Sequence, residues 1–120
     1  MANGELLYIT DSSGASKRAG SLNEYNLALA LEAEEIQFLF QFQIHGGHRS
    51  LGGIAVDFVV WIPFIVPLEV IGKYWHQNST RERFRSSLIT SYFGREPIEF
   101  TEEETENVTN ARSAVKNKLK

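Results

Sequence analysis

The chain has 120 residues, 42% of them hydrophobic, a formal net charge of −3 and no cysteine. That length supports one domain with a real core, and the missing cysteines exclude disulfides, thiolate zinc sites and cysteine nucleophiles. The opening MANGELLYITDSSG has no basic segment leading into a long apolar run, so no secretory signal is expected and a cytoplasmic location is.

Residues 1–20 are rich in Gly, Ser and Ala and predict a flexible N-terminal tail, leaving 21–120 as the single domain. In 21–35, Leu22, Tyr25, Leu27, Ala28, Leu29 and Leu31 suit a helix, and Ser21 with Glu24 has the spacing of a capping box. QFLFQFQI (37–44) then alternates as a strand does, with Phe38, Phe40, Phe42 and Ile44 on one face and Leu39, Gln41 and Gln43 on the other. Which glutamine turns inward depends on one register step. GGHRSLGG (46–53) is a connection in which His48 and Arg49 are placed to touch phosphate.

IAVDFVVWI (54–62) is β-branched and aromatic, as a strand buried on both sides should be. Pro63 and Pro67 frame a turn before LEVI (68–71), a third strand closed by Gly72. Ser79 and Glu82 repeat the capping-box spacing ahead of a helix running to about Phe93, with Phe84, Leu88 and Tyr92 as its apolar stripe. PIEFT (97–101) predicts a fourth strand, and Thr101 with Glu104 is expected to open a last helix. The order αβββαβα implies an α/β fold, a small mixed sheet flanked by helices.

The charge is unevenly spread. Residues 45–95 carry Arg49, Lys73, Arg81, Arg83, Arg85 and Arg95 against Asp57, Glu69 and Glu82, so the middle of the chain is locally basic. Arginines at a helix start oppose the helix dipole, and Arg81 and Arg85, four apart, would form a patch able to grip a phosphate backbone.

Asp57 and Glu69 are the only ionisable side chains in IAVDFVVWIPFIVPLEVI (54–71). The window approaches a membrane span in length, but these two charges and two prolines interrupt it, and no membrane segment is expected. If the two strands are neighbours with matched faces, the carboxylates converge in apolar surroundings, which needs a shared proton or a cation. A divalent cation answers that cost, and all-oxygen ligation favours Mg²⁺ or Mn²⁺ over zinc.

GGHRSLGGIAVDFVVWIP and PLEVIGKYWH, preceded by SLNE and FQFQ, resemble the PD-(D/E)XK superfamily of nucleases, in particular small phage-type enzymes related to very-short-patch repair endonucleases. The resemblance spans about residues 21–101. It implies a restriction-endonuclease-like αβββαβ core, a Mg²⁺-dependent deoxyribonuclease activity on DNA, and a host-cell cytoplasmic setting if phage-encoded. It further implies metal ligation by Asp57, Glu69 and the Val70 carbonyl, with Gln41 and Glu24 lining the site and His76 positioning water or moving a proton.

The superfamily's usual lysine place, two residues after the glutamate, is Ile71 here, and Lys73 is the substitute within reach. Glu24 keeps a second reading as the capping partner of Ser21. The expected activity is endonucleolytic hydrolysis of phosphodiester bonds. The alternatives are a Holliday-junction-type resolvase and a non-catalytic DNA-binding or assembly module retaining the fold. A homodimer would suit double-strand cleavage.

Overall fold

A computed structural model describes residues 6–44, 53–72 and 80–120, apart from the side chains of 80–82. The elements are β1 (Tyr8–Thr10), β2 (Ser16–Arg18), α1 (Leu22–Ala33), β3 (Phe38–Ile44), β4 (Ile54–Trp61), β5 (Ile65–Ile71), α2 (Thr80–Phe93), β6 (Ile98–Thr101) and α3 (Val108–Leu119). From α1 onward the order is the expected αβββαβα. β1 and β2 form a small antiparallel sheet, while the main sheet runs β3-β4-β5-β6 and is antiparallel except for the β5–β6 pair. Parallel neighbours need a crossover, and the segment containing α2 supplies it. Among the described residues no helix is long and apolar enough to cross a membrane.

Phe38, Phe40, Phe58, Val60, Val66, Leu68 and Phe100 from the sheet pack against Leu27 and Leu31 of α1 and Ala111 and Val115 of α3. Buried Ala28, Ala30, Ala111 and Ala114 carry little bulk, which suits close approach of these two helices. Salt bridges from Arg112, Lys116 and Lys120 converge on Glu34 at the end of α1. Hydrogen bonds from Lys120 and Arg112 hold its carboxyl below the usual range.

A second cluster joins Ile44, Val56 and Val59 to Ile89 of α2, with Phe42, Ile54 and Phe93 against it. Phe38 and Phe40 therefore lie in one cluster and Phe42 and Ile44 in the other, not on one shared face. The change falls at Gln41, whose φ of 58° is left-handed and rare for a residue with a side chain. In the register Phe40 faces Phe58 and Phe42 faces Val56, so Gln41 lies across from Asp57.

Residues 6–20 are not the expected tail. The β1–β2 hairpin buries Ile9, and its turn is fastened to β3: the Phe38 N–H donates to Ser12 Oγ (2.9 Å) and the Phe40 N–H to Asp11 Oδ2 (3.1 Å). Burial alone would raise the Asp11 carboxyl, but hydrogen bonds from the Ser13 hydroxyl and the Phe40, Ser13 and Ala15 N–H groups hold it below its ordinary value. Its folded-state stabilisation is therefore present above the unfolded carboxyl pKa and lost as pH falls through the lower folded one. Asp11→Ala is expected to lose about 1–2 kcal/mol at pH 7. Urea unfolding should show that difference shrinking in acid.

β5 starts at Ile65, so Pro67 lies inside a central strand rather than before it. The Val70 N–H points toward β4, which by the two-residue repeat turns the Pro67 nitrogen toward β6. β6 pairs only from Leu68 onward, so no ladder bond is lost there. Thr101 and Glu104 do form the reciprocal box, Thr101 N–H to Glu104 Oε1 at 2.9 Å and Glu104 N–H to Thr101 Oγ1 at 3.1 Å. It closes the turn after β6 instead of opening α3, which starts later on Asn107.

Candidate functional site

β4 and β5 are paired from Trp61↔Ile65 to Phe58↔Leu68, one step short of Asp57 and Glu69. Beyond that step the side chains replace the ladder. The Asp57 N–H donates to Glu69 Oε2 (2.9 Å), and the Val70 N–H donates to Asp57 Oδ2 (2.8 Å). The two carboxylates thus satisfy backbone donors at the point where the pairing stops, and each is held against the other's strand.

Glu24 approaches from the first turn of α1. Ser21 caps that turn, accepting from the Glu24 N–H at 3.1 Å, and Asn23 and Asn26 tie it to the turn after β6 through Glu102 O and Thr105 O. Glu24 belongs to the capping turn, and the charge of Glu69 also reaches its carboxylate. Burial, with Glu69, pushes the Glu24 carboxyl up despite the Gly20 N–H, the Ser21 hydroxyl and the Gln41 amide, which favour ionisation. Its buried Oε1 has no hydrogen-bond partner among the described residues.

Gln41, not Gln43, is the glutamine beside this group. The Lys17 ammonium donates to the carbonyls of Phe40 (3.3 Å) and Gln41 (3.2 Å), bracing the left-handed turn of the strand. Nothing in the sequence announced Lys17, whose position in a Ser/Gly-rich segment gave no sign of a long-range partner.

Arg85 completes the site from α2. Its Nε donates to Glu69 Oε1 at 2.7 Å and its Nη2 to the Ala55 carbonyl at 2.6 Å. Burial lowers the affinity of this guanidinium for its proton, but the Glu69 hydrogen bond and charge, with Asp57, more than offset that, so it is held charged. The inward stripe of α2 is Arg85, Ile89 and Phe93, one residue on from the expected Phe84, Leu88 and Tyr92, of which Phe84 and Tyr92 are exposed. Phe93 and Tyr92 both meet the Phe42 ring, at 6.0 and 5.9 Å.

Burial, then the charges of Glu69 and Glu24, raise the Asp57 carboxyl well above its ordinary range; the Val70 N–H and Arg85 oppose this only in part. The structure therefore gathers Glu24, Gln41, Asp57, Glu69 and Val70, and adds Arg85. Ile71, in the lysine place, is half-buried. His48, Arg49, Lys73 and His76 lie outside the described residues, as does the Arg81 side chain.

The donor set suits a hard divalent cation in kind: all oxygen, an excess of negative charge, and one buried carboxylate oxygen without a partner. Among the described residues no three acidic or histidine side chains stand in ligand geometry. No family model, curated protein or solved structure matches the chain.

Proposed function

We propose that the protein is a metal-dependent DNA endonuclease with a restriction-endonuclease-like core, acting through Asp57 and Glu69. The observation that carries this reading is the meeting of Glu24, Asp57 and Glu69 beside Gln41 where β4 and β5 part. The charge of Glu69 disfavours ionisation of Glu24 and Asp57, and that of Glu24 disfavours ionisation of Asp57, which is costly for folding alone, and such costs concentrate at functional sites.

Asp57, Glu69 and the Val70 carbonyl would hold Mg²⁺ or Mn²⁺, with Glu24 and Gln41 at its edge. A divalent ion there would supply an activated water and neutralise charge developing on a phosphodiester. Glu24, with its raised proton affinity and free Oε1, is suited to accept a hydrogen bond or proton from water. The reading of a DNA-binding module without cleavage draws on Ile71, which cannot orient a nucleophile.

The test is calorimetric titration of Mg²⁺ and Mn²⁺ into wild type and Asp57→Asn, followed by incubation with supercoiled plasmid and with a four-way junction. Asp57-dependent binding with plasmid nicking or linearisation is the expected result. Products confined to the junction would make it a resolvase. Metal binding without products on either substrate would favour the binding module, and no metal binding would end the metal-dependent reading.

A further inference from the structure

We propose that Arg85 is the resident monovalent cation of this site, retained when a divalent ion binds, so that the site takes up one such ion and not two. The inference rests on the reading of Asp57 and Glu69 as metal ligands. Its evidence is the position of Arg85: a guanidinium fixed at two points, to Glu69 Oε1 (2.7 Å) and to the Ala55 carbonyl (2.6 Å). A side chain serving only as a removable counter-charge would need no hold on the backbone of β4. Arg85 is anchored from behind as well, because Ile89, one turn on, is packed into the cluster beneath α2.

Charge balance points the same way. Arg85 faces Glu69 and Asp57, and Glu24 is the third carboxylate of the group through its charge interaction with both, so that against one guanidinium two negative charges are left over when all are ionised. One divalent ion cancels them, and a second would leave the site cationic. With Arg85 and one ion in place, a phosphodiester meets a neutral site. Without Arg85 the occupied site is anionic, so it should attract the metal more strongly and the phosphodiester less. Metal affinity and turnover are then expected to move in opposite directions on losing Arg85.

Mn²⁺ is titrated calorimetrically into wild type, Arg85→Met and Arg85→Lys, and plasmid cleavage is followed at saturating Mn²⁺. Wild type is expected to bind one ion per chain. Arg85→Met should bind it at least tenfold more tightly yet cleave at least a hundredfold more slowly. Arg85→Lys, which keeps the charge but not the two-point hold, should stay within about threefold of wild-type affinity and recover part of the rate.

Two ions per wild-type chain, or an Arg85→Met protein that binds more tightly and cleaves as fast as wild type, would overturn the inference while leaving the nuclease reading intact. Unchanged affinity in Arg85→Met would do the same. If Arg85→Met proves unfolded by circular dichroism, Arg85→Lys decides: an affinity changed more than tenfold contradicts a role for charge. Failure of wild type to bind Mn²⁺ removes the metal reading and this inference together.

Discussion

Asp57→Asn will make the protein more stable at neutral pH, by on the order of 1–3 kcal/mol, and, on the proposed nuclease reading, will reduce cleavage by about a thousandfold or more. The stability gain follows from the direction of the Asp57 shift. Burial and the charges of Glu69 and Glu24 raise its folded-state pKa, so ionising it opposes folding. Below the unfolded carboxyl pKa the group is protonated in both states and the penalty is absent. It grows as pH rises from there through the folded value and is complete above it. The advantage of Asn should therefore be near zero around pH 3–4 and greatest at pH 7 and above.

Asparagine can still accept from the Val70 N–H, so the substitution removes the charge without orphaning that donor. Urea unfolding in the presence of a chelator, repeated across pH, checks this. A variant less stable than wild type at neutral pH would mean that the Asp57 charge supports the fold, and the case for a site held at a cost would fail.

The convergence of Asp57 and Glu69 was legible in the sequence because strand geometry has period two. Two acids interrupting two otherwise apolar strands converge if those strands are neighbours with matched faces. The pairing puts them one step beyond Phe58↔Leu68. What the period could not reveal was the break at Gln41, since a left-handed residue is signalled in sequence by glycine and this one is glutamine. The even-numbered residues of β3 consequently serve two clusters.

Helical spacing in the sequence places Arg85 in an outer patch for a different reason. On α2 two apolar stripes overlap, Phe84, Leu88 and Tyr92 beside Ile89 and Phe93, and helical spacing fits either. Only packing against Phe42 and Val59 selects the second, and selecting it swings Arg85 from the surface to Glu69. The N-terminal hairpin leaves little trace in the sequence because its strands have few apolar residues to show a period. It is held by Asp11 and Ser12 hydrogen bonds to β3, which are contacts between distant parts of the chain.

Glu69→Ala should move stability the other way from Asp57→Asn. Glu69 satisfies two donors that have little alternative: the Asp57 N–H at 2.9 Å and Arg85 Nε at 2.7 Å. Truncating it leaves a part-buried N–H without its partner and a partly buried guanidinium that, among the described residues, faces Asp57 and the Ala55 carbonyl. Relief of repulsion with Asp57 offsets part of that, because Arg85 can then serve the remaining carboxylate.

The net expectation is a loss of about 1–3 kcal/mol at pH 7, together with loss of metal binding. A double-mutant cycle with Arg85→Met isolates the pair. The double variant should be more stable than the two single losses added together would allow, by about 1 kcal/mol or more, because once Glu69 is gone the guanidinium has a desolvation cost with less to offset it. Strict additivity would show that Arg85 and Glu69 act independently, and would remove the energetic basis for treating the guanidinium as a fixed part of the site.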